Sequence, residues 1–328
     1  MKAPRRLIEP IADPDNLRLA FWKARKGKTH GNNVEEYRRD LDANLFLLRQ
    51  QILSGEVDVG KYRFFKIYDP KERQICAAAF GEQVLHHALM NVCHPSFERV
   101  QIFDSYASRK GKGTYAALAR AKQFTKKYAW FLKLDIRKFF DSIPHEVLKH
   151  QLNRLFGDEH LLWIFRQIID SYEAMPSRGV PIGNLTSQYF ANHFLSDLDH
   201  FIKEELCIKA YVRYMDDLVL WHQDKEVLVG ALNTINSFVE DRLHCTLKPP
   251  LLNRCDRALP FLGYVLYPHY VRLSQASKQR FIRKINAVDE HYHTGDWTEG
   301  ECQRHALPLF AFVRHADLGS FLRKKAQR

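Results

Sequence analysis

Tyr211-Val212-Arg213-Tyr214-Met215-Asp216-Asp217-Leu218-Val219-Leu220-Trp221 sets two short runs of aromatic and β-branched residues on either side of a pair of adjacent acids. Such runs meeting at a polar dipeptide predict a β-hairpin with Asp216-Asp217 at its turn. Adjacent carboxylates repel each other and raise one another's pKa, so a tight hairpin carrying two of them favours a neutralising cation. The plain alternative is a solvated hairpin tip, because Asp is a common turn residue. The surrounding chain has to decide between the two.

Upstream, Trp130-Phe131-Leu132-Lys133-Leu134-Asp135-Ile136 reads as a buried strand delivering one acid, Asp135, at its end, before a turn with two aromatics, Phe139 and Phe140. A charge at the end of an apolar strand costs several kcal/mol unless it is paired or coordinated, so a partner is expected. Amphipathic helices occupy 146–172. The Gly/Pro loop from Arg178 to Gln188 then opens a long helix with Phe190, Phe194, Leu198, Phe201 and Ile202 on one face, capped by Ser187 or Thr186. Gly183 in that loop would let backbone approach a ligand closely; a merely capped helix start is the alternative. Beyond the hairpin, Val227, Leu228, Leu232, Ile235, Val239 and Leu243 define a helix. Cys245–Lys248 and Phe261–Val265 are candidate strands. The order from Trp130 to Val265 is β-α-β-β-α-β, an antiparallel sheet with helices on one face. That plan brings Asp135 close to Asp216 and Asp217. Three converging carboxylates suit Mg²⁺, and two such ions about 4 Å apart can activate a hydroxyl and stabilise the leaving oxygen of a phosphoryl transfer.

On the flanks, Leu41, Leu45, Leu48 and Ile52 mark a helix face in an N-terminal extension that packs on the rest of the chain. Residues 62–75 predict two strands joined by the basic turn Lys71-Glu72-Arg73, which could place cations over a phosphate or simply be a solvated turn. Residues 80–100 predict a helix, with Val84, Leu85, Ala88, Leu89 and Val92 on one side and Pro95 as its stop. Ser108-Arg109-Lys110-Gly111-Lys112-Gly113-Thr114 resembles a phosphate-cradling loop before a helix, but the Walker spacing is absent, which disfavours a nucleotide hydrolase. From about 266 the chain is basic and helical. Arg280, Arg283, Lys284, Arg323, Lys324, Lys325 and Arg328 suggest a face for a phosphate backbone, with a solvated helix surface as the alternative.

A chain of 328 residues suits two or three subdomains, and its net charge of +12 favours a polyanionic partner such as nucleic acid, although an anionic membrane surface would attract it too. The sequence has no apolar run long enough for a membrane span and no signal-peptide core at Met1–Arg6, so a cytoplasmic setting is expected. Six scattered cysteines without a C-x-x-C pair predict reduced, mostly buried thiols. His291, His293, Cys302 and His305 could supply four metal ligands, but their spacing matches no zinc pattern.

From about Tyr62 to Tyr264 these motifs, taken in order, resemble a reverse transcriptase. The resemblance implies an α+β right-hand polymerase: an N-terminal extension over 1–60, fingers over 61–113 and 146–181, a palm with a ferredoxin-like β-α-β-β-α-β core over 114–145 and 182–264, and a short helical thumb over 265–328. It implies that Asp135, Ile136, Asp216 and Asp217 hold two Mg²⁺ ions, with Mn²⁺ able to substitute. Catalysis would rest on Asp135, Asp216, Asp217 and Lys248, the lysine protonating pyrophosphate. Lys71 and Arg73 would hold the incoming triphosphate, Phe140 would block a ribose 2′-OH, and Ile182, Gly183 and Gln188 would face the nucleotide. Phe261, Leu262, Gly263 and Tyr264 match the primer grip, and Arg109, Lys112, Arg280, Arg283 and Lys284 would contact the nucleic-acid backbone. Bulky Phe140 disfavours an RNA-dependent RNA polymerase.

One departure narrows the likeness. Where most reverse transcriptases carry Gln-Gly-x-x-x-Ser-Pro, this chain has Ile182-Gly183-Asn184-Leu185-Thr186-Ser187-Gln188, a form similar to the enzymes of diversity-generating retroelements. That resemblance implies a prokaryotic or phage-encoded polymerase that copies a template RNA from a primer with dNTPs, errs at template adenines, and works with a small basic, oligomeric accessory protein. Ile182 cannot make the hydrogen bond a Gln would offer, which lowers discrimination by about a kcal/mol. A retron or group II intron-like reverse transcriptase, and a non-catalytic RNA-binding scaffold, are the alternatives; clustered acids facing phosphates speak against the scaffold. No nuclease, RNase H or maturase-like pattern comes after the short thumb, so the RNA or a partner is expected to help hold the substrate.

Overall fold

The computed structural model describes residues 6–28, 31–68 and 72–317; Lys71, Arg323, Lys324, Lys325 and Arg328 lie outside the described residues. In chain order the elements are α1 (Ile8–Ile11), α2 (Pro14–Arg25), α3 (Asn32–Arg39), α4 (Leu41–Ser54), β1 (Tyr62–Ile67), β2 (Arg73–Ala78) and α5 (Phe80–Arg99). Then come α6 (Thr114–Lys127), β3 (Trp130–Asp135), α7 (Phe139–Ser142), α8 (His145–Leu155), α9 (Glu159–Asp170), α10 (Leu185–Phe194) and α11 (Ser196–His200), the last running into a π-turn over Phe201–Glu205. The chain continues through β4 (Tyr211–Tyr214), β5 (Asp217–His222), α12 (Lys225–Asp241), β6 (Leu251–Arg254), β7 (Leu259–Phe261), β8 (Tyr264–Leu266), β9 (Val271–Leu273), α13 (Gln275–His293) and α14 (Glu299–Val313). Two compact units result, one made of Met1–Phe103, Ile136–Cys207 and Thr234–Lys248, the other of Asp104–Asp135, Ile208–Asn233 and Pro249–Arg328.

In the first unit, α2 begins where the Asp13 carboxylate accepts the N–H groups of Asp15 and Asn16 and Pro14 takes the first helical position. It packs along α5, and Asn16 Nδ2 donates to the Ala88 carbonyl at 3.1 Å. The face read in α4 is the buried one, through Leu45, Leu48 and Ile52. Helix α5 fills the expected range, Phe80–Arg99, but it carries Pro95 inside rather than stopping there. Phe97 explains this: its buried ring meets Phe156 at 5.3 Å and Tyr189 at 5.4 Å, and that packing holds the last turn despite the missing N–H. β1 and β2 pair antiparallel from Tyr62↔Ala78 to Ile67↔Arg73, as the pattern predicts.

The second unit is built on a four-stranded antiparallel sheet in the order β4-β5-β3-β6. With sequence order β3, helices, β4, β5, α12, β6, this is the ferredoxin-like β-α-β-β-α-β arrangement. Phe131, Leu132 and Leu134 of β3 are fully buried, which is why this strand reads as a continuous apolar run. Ala-rich α6 covers the sheet, with Ala117, Leu118, Ala121 and Phe124 in one core with Phe131, Val212, Val219 and Trp221. Each such burial of a side chain like Phe131 contributes roughly 1.5–3 kcal/mol. The fourth strand is Leu251–Arg254, not the segments proposed for it: Leu247 makes only an isolated bridge to Ile136, and Phe261–Tyr264 is the bend of hairpin β7–β8.

All six cysteines are free, and all but Cys207 are buried, as expected. Among the described residues no helix is long and apolar enough to cross a membrane. His291 and His305 each stack on Trp297, with ring centroids 4.2 and 4.1 Å away.

Candidate active site

In the second unit the acids sit where two strands end together. The β4–β5 loop falls one residue earlier than expected: Tyr214 pairs with Asp217, so Met215 and Asp216 form the turn and Asp217 opens β5. Met215 adopts a left-handed φ of 53°, a strained choice for a residue with a side chain. On the other side of β5, Asp135 at the end of β3 is directly opposite Asp217. Opposed like charges destabilise a strand pair, and Lys133 answers them. Two residues before Asp135, on the same face, its Nζ lies 2.8 Å from Asp217 Oδ1, an ionic contact rather than a directed hydrogen bond.

Arg213 supports the turn from beneath. The arginine is fully buried, and its Nη1 donates to the Met215 carbonyl at 3.2 Å. Asp104–Tyr106 adds a short parallel pairing along the outer edge of β4. Arg213 N–H donates to Asp104 O and Tyr106 N–H to Arg213 O, each at 3.0 Å. The Thr114 hydroxyl donates to Tyr214 Oη at 3.1 Å, tying the start of α6 to the last residue of β4. Lys133, Arg213 and Thr114 were not singled out from sequence. A charge inside an apolar run, as at Lys133 and Arg213, was the available signal.

Among the described residues no three His, Cys, Asp or Glu side chains are gathered as a ready metal site. Lys133 lies against Asp217, and beside that acid stand Asp135 at the strand end and Asp216 in the turn. Both are half-buried hard-oxygen donors. Two carboxylates completed by phosphate oxygens is a donor set Mg²⁺ accepts, so the residues present fit that ion.

Other sequence candidates in this unit are partly structural. Phe261 and Tyr264 are core residues, with Tyr264 Oη donating to Phe312 O at 2.6 Å, and Leu262 and Gly263 form the bend between them. Arg109 donates to its own Ser105 carbonyl at 2.8 Å, and Lys112 Nζ lies 5.0 Å above the Tyr106 ring, so the Ser108–Thr114 loop turns these cations onto the protein. Arg280, Arg283 and Lys284 share one stripe of α13, away from buried Phe281, Ile285 and Val288.

The first unit brings together a second group. A cavity of about 790 Å³ is lined by Arg73 and Ile182, both sequence candidates, with Tyr62, Phe64, Tyr172 and Asp141. The three rings are edge-on or tilted at 6.1–6.5 Å. Burial raises the Asp141 carboxyl above the usual carboxylate range, only partly offset by Lys138. Desolvation also raises the Tyr172 phenol. The loop holding Ile182 is sewn to the hairpin, Cys76 N–H donating to Ile182 O at 2.8 Å. Gly183 admits β2 closely: a Cβ there would stand 3.0 Å from Ile75 Cγ2 and 3.1 Å from Cys76 O. Helix α10 starts at Leu185 after Asn184 rather than being capped by Thr186 or Ser187, both buried in its first turn. Phe140 is half-buried beside Phe139 at 5.6 Å, and its carbonyl accepts Val180 N–H at 2.9 Å. Gln188 is half-buried on α10, Lys248 is half-buried beyond α12, and buried Ile136 bridges to Leu247.

Comparison with known proteins agrees with this architecture. A COX1/OXI3 intron 2 protein of Saccharomyces cerevisiae is 23% identical over 226 residues, covering 61% of this chain and 25% of that protein. Protein YkfC of Escherichia coli is 23% identical over 211 residues, covering 60% of this chain and 55% of that one. The chain thus spans at most about half the length of these relatives. Among solved structures, apo telomerase from Candida tropicalis superposes with a TM-score of 0.54 at 11% identity, over 81% of this chain and 59% of that one, which speaks to the fold. The family model described as reverse transcriptase (RNA-dependent DNA polymerase) matches residues 69–266, well over half of the 328, and the chain belongs to that family.

Proposed function

We propose that the chain is an RNA-directed DNA polymerase that extends a primer on template RNA with dNTPs. The pairing of Asp135 with Asp217 at the strand end, next to Asp216 in the turn, carries the reading. In it Asp135 and Asp216 hold Mg²⁺. The bound ion would supply charge neutralisation at the phosphates and a more acidic attacking hydroxyl. Arg73 receives the triphosphate and Lys248 gives a proton to pyrophosphate. Phe140 is the residue assigned to exclude a ribose 2′-OH, which favours dNTPs. The stripe Arg280, Arg283 and Lys284, exposed at the last two, takes backbone phosphates. The test is primer extension on RNA by Asp216→Asn. Activity should fall on the order of a thousandfold with thermal unfolding unchanged, and ordinary extension would sink the reading.

The finer reading is an error-prone polymerase of the diversity-generating type, working with a small basic accessory protein. The Ile182–Gln188 loop supports it, because Ile182 lines the cavity beside Arg73 and offers no hydrogen bond to a nucleotide. Ile182→Gln should lower misincorporation opposite template adenine several-fold in sequenced cDNA, for one regained bond of about 1 kcal/mol. An unchanged error profile would break the link between this loop and fidelity. Similarity to an intron protein favours a second reading, an intron-type reverse transcriptase. Sequencing the RNA that copurifies with the chain separates the two.

A further inference from the structure

Two of the residues assigned to the nucleotide, Phe140 and Ile182, sit on segments of the first unit that are joined side by side. Val180 N–H donates to Phe140 O and Gly179 N–H to Ile143 O, each at 2.9 Å, and His145 N–H donates to Ser177 O at 3.0 Å. Pro144 and Arg178 make an antiparallel bridge within this seam. The path of the backbone at Gly179 is tightly set: its φ is 108°, and a Cβ would stand 2.9 Å from Ala174 Cβ. The Gly179 carbonyl lies 2.8 Å from His145 Nε2. A carbonyl can only accept, so Nε2 carries the ring proton. On the other side of the imidazole, Nδ1 faces Asp170 Oδ1 at 3.3 Å, and Lys149 Nζ holds the same oxygen at 2.8 Å. His145 is only 2% exposed, so water does not compete for its bond to Gly179.

We propose that His145 is a positioning residue: by bonding the Gly179 carbonyl it holds the 179–182 segment against the Phe140 turn, and so sets how strictly the site separates deoxyribonucleotides from ribonucleotides. The proton on Nε2 supplies the bond, and Asp170, itself held by Lys149, keeps the ring turned toward Gly179. Farther along the same segment Ile182 O accepts Cys76 N–H at 2.8 Å, so the segment is pinned at both ends. Released at Gly179, the segment would loosen the Val180 bond to the Phe140 carbonyl. A ring whose backbone can shift excludes a 2′-OH less strictly. His145 acts through Gly179, not on the nucleotide. The inference rests on the polymerase reading for the task of Phe140, while the hold on Gly179 is testable on the protein alone.

The variants are His145→Phe, which keeps a ring but offers Gly179 no proton, and His145→Gln, whose amide can donate from near the Nε2 position. Hydrogen exchange at the Val180 amide should lose about fivefold of its protection in His145→Phe and regain it in His145→Gln. In primer extension on RNA, the preference for dNTP over rNTP, taken as a ratio of kcat/KM values, should fall about fivefold in His145→Phe. In His145→Gln it should return to within about twofold of wild type. A merely structural role would lower both substrates equally; an unchanged ratio therefore overturns the proposal. So would full protection of Val180 in His145→Phe, or a His145→Gln protein as impaired as His145→Phe. Should His145→Phe fail to fold, Asp170→Ala takes its place, at a partner whose side chain is 51% exposed. Smaller losses in both readouts are then expected, and unchanged values overturn the proposal. If the wild-type protein extends no primer while Val180 responds as stated, the polymerase reading falls and the hold of His145 on Gly179 stands.

Discussion

Gly183 shows how one residue governs the cavity of the first unit. Its φ of 121° is a conformation that side-chain-bearing residues rarely adopt, and a Cβ would press on Ile75 and on the Cys76 carbonyl. Gly183→Ala should therefore cost about 1–3 kcal/mol, read as a lower urea midpoint with an unchanged slope. The Cys76 amide, bonded to Ile182 O, should lose hydrogen-exchange protection in the same variant. Full protection with wild-type stability would show that the loop and β2 can move apart freely. Neighbouring Ile182 is displayed by this contact, since its carbonyl is the group that β2 binds. Arg213 and Lys133 obey the same logic in the second unit, where buried or half-buried cations each hold a particular atom of the acidic turn.

At the scale of elements, legibility tracked where stability comes from. β3, β4 and β5 were readable because both of their faces are buried, which makes them apolar runs broken only by residues with a task. Asp135, Asp217 and Asp216 could therefore be placed at one end of the sheet from spacing alone, to within the single residue by which the turn was shifted. β6 was not readable. Leu251-Leu252-Asn253-Arg254 lies at the sheet edge with exposed ends, and only its pairing with β3 makes it a strand. α5 misled for the opposite reason: Pro95 is a strong local stop, but the aromatic packing of Phe97 outweighs it. The cavity beside Arg73 was half legible. Arg73 and Ile182 stood out from their motifs, whereas Asp141, Tyr62 and Tyr172 come from distant segments that no local pattern joins.

For the molecule as a whole, acid sensitivity should come from histidines that burial keeps neutral, and His193 on α10 is the clearest case. It is 5% exposed, its ring lies 5.6 Å from Phe97, and desolvation pushes its imidazole down to about 4. Asp197, which would favour the protonated ring, is itself paired with Arg154, which opposes it. Above the unfolded value of about 6.5, both folded and unfolded chains carry a neutral ring and stability does not change with pH. Between about 6.5 and 4 the unfolded chain takes up a proton that the folded one refuses, so stability falls as pH falls, at most about 1.4 kcal/mol per unit. Going from pH 7 to pH 5 should therefore remove on the order of 2 kcal/mol through this one group. The net charge of +12 adds a general repulsion as other histidines protonate, which a single midpoint could not separate from His193. Urea unfolding of the wild type and of His193→Phe at both pH values isolates the local part. The variant should lose less stability on acidification by about that amount, whatever its stability at pH 7. Equal losses in the two proteins would mean that His193 is protonated within the fold and that the acid sensitivity lies elsewhere.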